Sequence, residues 1–356
     1  MMKKLLLTAF FTACAVFLTA SEYSFMALGD IHFDGEAYHS TVPQQAHRRK
    51  ERKRNLDMWK NGKSDQVLAA AAKQLTPDMP FVVQIGDFTQ GDCDGEALQE
   101  KMFADAFAAV KKYFPQHKLL AVKGNHDVRT VGVKGACNAP AVKSFLPLIA
   151  KELGREKITG NYAVVQGKDL FIFIDSFVGK DTLFNFIDKT LKRYPESRYT
   201  FLISHLPLLP CSPGYPVWLI PQYDKLIPIL AKRNAVILSA HTHIPSCVSI
   251  KTPEGSLAQI VVSSIGCDWK RNEKMAIRVA NFEDFCKLIS ARKMKDKKVV
   301  SILDYMKKQQ IKMYELYHVT SGFAVIKVKN DSVVAEFYND ESGKPKQIKT
   351  LFSTAE

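Results

Sequence analysis

The chain has 356 residues and is 46% hydrophobic, enough to bury one large core or two modest ones. It shows no internal repeat or low-complexity tract, which excludes a solenoid or a disordered tether. Its formal charge of +14 favours anionic ligands in general. Phosphate esters, nucleic acid and anionic lipid all satisfy that balance, so charge alone does not choose among them.

In chain order, Lys3 and Lys4 precede an apolar run from Leu5 to Leu18 that ends in Thr19-Ala20-Ser21. A short basic head, a run too brief to span a bilayer, and small residues at its end predict a signal peptide over 1–20, cleaved near Ala20. We prefer this reading to an uncleaved anchor and to lipidation at Cys14, which sits mid-run. The mature chain is then exported, periplasmic or secreted, with no transmembrane span. Loss of the two lysines lowers its charge by two, to +12.

Ser24 to Leu28 is a short apolar strand ending in Gly29-Asp30-Ile31-His32. The polar segment from Phe33 to Lys63 follows, and its basic run from His47 to Arg54 reads as a solvated helix face or loop rather than a polyanion grip. Phe81 to Ile85 is a strand ending in Gly86-Asp87. Asp94 is placed to cap a helix with apolar positions at Leu98, Met102, Phe103, Ala106, Phe107 and Val110. Lys118 to Val122 leads to Gly124-Asn125-His126-Asp127. Helices are expected over Thr182 to Tyr194 and Gln222 to Lys232. The strand Phe201 to Ile203 precedes Ser204-His205, and Ala235 to Leu238 precedes His241-Thr242-His243. Between them, Leu206 to Pro221 carries five prolines with Tyr215 and Trp218. It is irregular and forms a lid or one wall of a pocket. A lysine-rich helical insertion spans 270–319; its stretch from Arg292 to Lys298 lacks the interleaved aromatics of a nucleic-acid site. Phe323 to Val328 and Val333 to Phe337 form a hairpin. The domain runs over 21–340, with a tail at 341–356.

Strands alternating with helices indicate a layered α/β fold, with each polar motif just past a strand's C-terminal end, where ligand sites gather. Asp30 and His32 can be aimed at one ion by a single loop, His241 and His243 repeat the arrangement, and Asp87 is free to bridge. Asp, Asn and His donors of this kind suit manganese, iron or zinc better than calcium. Two such ions can clamp the attacking and leaving oxygens of phosphoryl transfer and acidify a bound water. His39, His47, His117 and His318 read as ordinary surface or core residues.

The five segments, in this order, resemble the calcineurin-like metallophosphoesterase family over roughly residues 23 to 265, and Asn161-Tyr162 resembles the family's middle region. The resemblance implies a four-layer α/β/β/α sandwich of two mixed sheets. It assigns Asp30, His32 and His243 to a first divalent metal, and Asn125, His205 and His241 to a second. Asp87 bridges the two, while His126 acts on the leaving group or the phosphoryl oxygens with Asp127 positioning it. It further implies hydrolysis of a phosphate mono- or diester, with no specific nucleic-acid or protein partner. The alternatives are a phosphodiesterase for nucleotides or phospholipid head groups, and a non-catalytic polyanion-binding protein on the same fold. Two departures stand out. Ala240 replaces the usual Gly, which would shift the His241 loop if the backbone there needs unusual angles. Gln90 stands three residues after Asp87, where purple acid phosphatases carry a tyrosine.

Six cysteines follow the signal peptide: Cys93, Cys137, Cys211, Cys247, Cys267 and Cys286. An even number in an exported chain is compatible with disulfides. Pairing Cys93 with Cys137 and Cys211 with Cys247 would staple loops around the site. Zinc-finger spacing is absent.

Overall fold

The strand β1 (Tyr23–Leu28) lies at the centre of a six-stranded sheet. The computed structural model describes residues 22–40, 46–131, 135–177, 179–266, 277–318, 321–339 and 342–353. The expected signal peptide, Cys14 and Cys267 lie outside the described residues. On one side β1 pairs in parallel with β2 (Phe81–Ile85), which pairs in parallel with β3 (Lys118–Val122). On the other it pairs antiparallel with the hairpin β12 (Phe323–Val328) and β13 (Ser332–Tyr338), closed by Lys329 N donating to the Ser332 carbonyl at 2.8 Å.

The second sheet has eight strands. Its parallel centre is β5 (Asp169–Ile174), β6 (Thr200–Ser204), β7 (Ala235–Ser239) and β9 (Gly255–Val261). β4 (Tyr162–Gln166) and β8 (Ser246–Thr252) flank that centre antiparallel. With β10 (Ile277–Val279) and β11 (Gln310–Tyr317), the order is β10-β11-β8-β9-β7-β6-β5-β4.

Alternation along β5 shows how four layers arise. Phe171 and Phe173 enter the core between the sheets, whereas Leu170, Ile172 and Ile174 enter a second core on the helix side. Phe25 of β1 meets Phe171 and Phe201 across the layer, with ring centroids 5.3 and 5.5 Å apart. Helices α2 (Lys63–Ala72), α3 (Glu96–Lys111) and α4 (Leu146–Glu152) contribute Val67, Leu68, Phe103, Phe107 and Ile149 to the apolar cluster that continues through the first sheet. Helices α5 (Lys180–Arg193) and α6 (Tyr223–Ala231) contribute Leu183, Ile187, Leu226 and Ile227 to the second. The result is the expected α/β/β/α sandwich of two mixed sheets.

The structure differs from expectation in five places. The basic run read as a solvated helix face or loop lies in a helix, α1 (Ala46–Lys60), but one face of that helix is not solvated and touches the candidate site. Gly95, at a φ of 103°, is the N-cap of α3; the Asp94 carboxylate instead accepts from Ser40 Oγ at 2.5 Å. The segment read as a helical insertion contains α7 (Phe282–Lys287) and α8 (Lys297–Lys307), but also β10 (Ile277–Val279) and β11 (Gln310–Tyr317), which extend the second sheet from β8. The tail contains β14 (Gln347–Ser353), paired with β13.

The suggested disulfides are the fifth difference: Cys93, Cys137, Cys211 and Cys247 are free thiols. Cys93 Sγ packs on Met102 Sδ at 3.7 Å, while Cys137 Sγ faces Glu96 at 3.6 Å. Cys247 lies on the inter-sheet face of β8. Cys211 follows Pro210, whose carbonyl is held from the other face of the sheet by Tyr314 at 2.5 Å.

Candidate metal centre

Five parallel strands end at one rim: β1 before Gly29-Asp30, β2 before Gly86-Asp87, β3 before Lys123-Gly124-Asn125, β6 before His205 and β7 before Ala240-His241. Backbone strain concentrates there. His32, Asp87, His241 and His243 have φ values of 48°, 50°, 68° and 54°, in the left-handed region that L residues seldom occupy. The two Gly-Asp loops are tied together, since the N–H groups of Ile31 and His32 both donate to the Asp87 carbonyl, at 3.0 and 2.9 Å. Two glycines make the crowding possible. A Cβ on Gly86 would stand 2.5 Å from His205 Nδ1, and one on Gly124 would stand 2.1 Å from Asp87 Oδ1. Ala240 is not among the residues with positive φ, so its methyl group is accommodated and the unusual angles fall on His241 and His243 instead.

The predicted side chains converge. Asp87 Oδ2 lies 3.3 Å from His205 Nε2, 3.9 Å from His32 Nε2 and 4.0 Å from His126 Nε2. Asp30 Oδ1 is 3.4 Å from His243 Nε2 and 4.0 Å from His205 Nε2. His205 Nε2 is 3.1 Å from both Asn125 Oδ1 and His241 Nδ1, and the Nε2 atoms of His32 and His243 are 3.2 Å apart. Three sets therefore have ligand atoms within 4.8 Å of one another: Asp30–His32–His243, Asp87–His205–His241, and the overlapping His32–Asp87–His126. Both carboxylates and most of these imidazoles are buried.

The electrostatics call for cations at this point. His205 Nδ1 donates to the Ile85 carbonyl at 2.9 Å, which turns Nε2 toward two acceptor oxygens. Burial pushes His205 down, but the adjacent Asp87 and then Asp30 more than offset it and raise its pKa to about 9. A proton or a metal ion can meet that demand. His241 behaves oppositely: burial and then the neighbouring His205 push it down to about 3, leaving its lone pair available. Burial works against the ionised forms of Asp30 and Asp87, yet His243 for the first and His205 for the second hold both below the usual carboxylate range. Buried carboxylates beside imidazole nitrogens and an amide oxygen form a ligand set that fits a transition-metal or manganese pair.

His126 is held differently. Its Nδ1 lies 2.8 Å from the Gln90 carbonyl and 3.1 Å from Arg129 Nη1, while Nε2 faces the pocket. The expected contact of Asp127 with this ring is not formed. The Asp127 carboxylate is fully buried and accepts from Phe88 N, Thr89 N, Thr89 Oγ1 and Gly124 N, so it fastens the β2 loop to the β3 loop.

Sequence reasoning missed three participants. Glu51 of α1 places Oε1 3.5 Å from His126 Nε2 and Oε2 3.2 Å from Arg129 Nη1. Burial pushes this carboxyl up, but the neighbouring His126, followed by Arg129, pulls it well below the usual range. Lys123 and Asp175 form an ion pair of 2.7 Å buried beneath the β3 loop. The available signal was slight: Glu51 is the single acid in the run from His47 to Arg54. The proline-rich loop does reach the site. Tyr215 and Trp218, 52% and 44% exposed, stack at 3.8 Å, and Trp218 lies 4.8 Å from the His241 ring.

The model of calcineurin-like phosphoesterases matches residues 23–245. No curated protein matches the chain by sequence. A solved dimetal phosphatase from Danio rerio is similar with a TM-score of 0.54 at 13% identity, over 93% of this chain and 99% of that one. A purple acid phosphatase from yellow lupin seeds is similar with a TM-score of 0.56 at 13% identity, over 94% of this chain and 54% of that one. At such identity the likeness establishes the fold.

Proposed function

The chain belongs to the calcineurin-like phosphoesterase family of metal-dependent phosphate-ester hydrolases, and from that premise we propose how its residues divide the work. Asp30, His32 and His243 would hold one divalent ion, Asn125, His205 and His241 would hold a second, and Asp87 would serve both. The observation that carries this is the convergence of His32, His126 and His205 on a single oxygen of Asp87. When bound, two divalent ions supply Lewis-acid charge for the phosphoryl oxygens and acidify water for attack near neutral pH.

The chain's own residues do the rest. Burial of the carboxylates sharpens their electrostatics by excluding water. The strained turns at His32, Asp87, His241 and His243 fix ligand direction before any ion arrives. His126, anchored at Nδ1 by Gln90, presents Nε2 to the pocket, where its protonated form gives a proton to the leaving-group oxygen; the alternative is a contact with the phosphoryl oxygens. Asp127 acts on loop geometry rather than on the ring.

The proposed substrate is a phosphate mono- or diester. Within the diester reading, a nucleotide is favoured by the half-exposed Tyr215–Trp218 stack beside His241. The apolar run from Leu5 to Leu18 supports export, and among the described residues no helix is long and apolar enough to cross a membrane. The test is turnover of a chromogenic monoester and diester by the manganese-loaded protein, and of an alkyl ester of the class it prefers, beside His126→Ala. Metal-dependent turnover is expected, and on the alkyl ester, whose leaving group needs a proton, it should fall about a hundredfold or more in the variant. A folded, metal-loaded wild type that turns over neither ester, yet binds polyanions in a salt-sensitive way, would favour the non-catalytic alternative.

A further inference from the structure

Helix α1 reaches the metal loops with three side chains at four-residue spacing, which places them on one helix face. Trp59 Nε1 donates to the Ile31 carbonyl, between Asp30 and His32, at 3.3 Å. Asn55 Nδ2 donates at 2.5 Å to Oε1 of Gln90, the residue whose carbonyl anchors His126. Glu51 faces His126 Nε2 at 3.5 Å, and Arg129 holds its other oxygen at 3.2 Å. All three contacts land on the segments that carry the site, although the helix exposes mainly arginine and lysine elsewhere.

We propose that Glu51 is a positioning residue for His126, holding the Nε2 edge of the ring toward the leaving-group oxygen. This rests on the reading of His126 as proton donor. The Gln90 carbonyl and Arg129 Nη1 meet Nδ1 of the imidazole at 2.8 and 3.1 Å, and Glu51 faces Nε2. At 3.5 Å the carboxylate lies beyond normal hydrogen-bond length, so it orients the ring and leaves Nε2 open to the leaving-group oxygen. Arg129 keeps the carboxylate from swinging onto the metal side, and the Asn55 and Trp59 anchors keep α1 from drifting. The sequence offered α1 as a solvated basic helix; its inner face makes it a clamp.

The experiment compares wild type, Glu51→Ala and Glu51→Gln, each manganese-loaded, on an aryl and an alkyl ester of the class the wild type hydrolyses. An aryl leaving group departs without a proton, whereas an alkoxide needs one. General-acid assistance contributes about 10²–10⁴-fold, so Glu51→Ala is expected to lower kcat on the alkyl ester by at least about tenfold. Its kcat on the aryl ester should change by less than about threefold, with KM nearly unchanged for both. Glu51→Gln, which keeps an acceptor at the same place, should restore most of the alkyl-ester activity. Metal content and Tm are measured on every variant. Equal loss on both esters, loss of bound metal, unchanged activity or increased activity would each overturn the proposal. A wild type inactive on both esters would instead bring down the phosphoesterase reading beneath it.

Discussion

Replacing Asp127 with Asn tests whether this residue fastens the metal loops or tunes the His126 ring. Its carboxylate accepts from Phe88 N at 3.1 Å and Gly124 N at 2.8 Å on one oxygen, and from Thr89 N at 2.8 Å and Thr89 Oγ1 at 2.9 Å on the other. An amide of the same size keeps one oxygen and turns an NH2 group toward the other pair. The less costly orientation keeps Phe88 N and Gly124 N paired. The Thr89 hydroxyl can then rotate to accept, but Thr89 N is left buried against a donor. A hydrogen bond to a charged acceptor contributes about 1.5–3 kcal/mol, and an orphaned buried donor costs about 1–3 kcal/mol, so we expect a loss of about 3 kcal/mol. In a domain of this size that lowers Tm by roughly 4 °C. Calorimetry should be run on chelator-treated protein at about pH 8. That pH keeps Asp127 ionised, because burial and then the Asp87 charge push its pKa up to about 6. An Asn variant that melts with wild type but loses kcat would refute the reasoning and return Asp127 to the His126 ring.

Three further outcomes follow from the same contacts. Gly86→Ala places a methyl group 2.5 Å from His205 Nδ1 at a φ of 79°, so bound manganese should fall from two ions toward one per chain by elemental analysis. Lys123→Met leaves Asp175 buried without its 2.7 Å partner and should cost about 3–5 kcal/mol by urea denaturation; adding Asp175→Asn should recover part of it. In native protein at pH 8, iodoacetamide should spare Cys93, Cys211 and Cys247, which are buried, with burial pushing Cys211 up to about 12. Unfolding without reductant should then expose Cys93 and Cys137 to alkylation, and failure to label them would restore the disulfide.

The central strands of the sandwich were legible because each is a short apolar run buried on both faces and punctuated by a Gly-Asp, Gly-Asn or His motif. The added strands were not. β14 is the outer strand of the first sheet, while β10 and β11 extend the second beyond β8; Lys349 sits on the edge strand β14. Lysine on edge strands discourages pairing with another chain, and it also disguises the period-2 pattern as a polar tail or insertion. The helix cap was misplaced by one residue because the turn into α3 needs a φ of 103°, which Gly95 supplies and Asp94 would not.

The site divides along the same line. Ligands delivered two residues apart from one loop, such as Asp30 with His32 and His241 with His243, declare themselves because spacing and chemistry coincide. Second-layer partners do not. Asp127 looks like a companion of His126 by adjacency, but successive residues on a short helical turn point apart, and its carboxylate turns toward the β2 loop. Glu51 is 78 residues from Arg129 and lies among lysines and arginines that make it look like one more surface ion pair. What singles it out is the spacing Glu51, Asn55, Trp59: a carboxylate, an amide and an indole aligned along one face of a helix whose remaining positions are largely cationic. Such a face has no reason to recur on a merely solvated helix, and in three dimensions each of its members reaches a segment carrying a proposed metal ligand or His126.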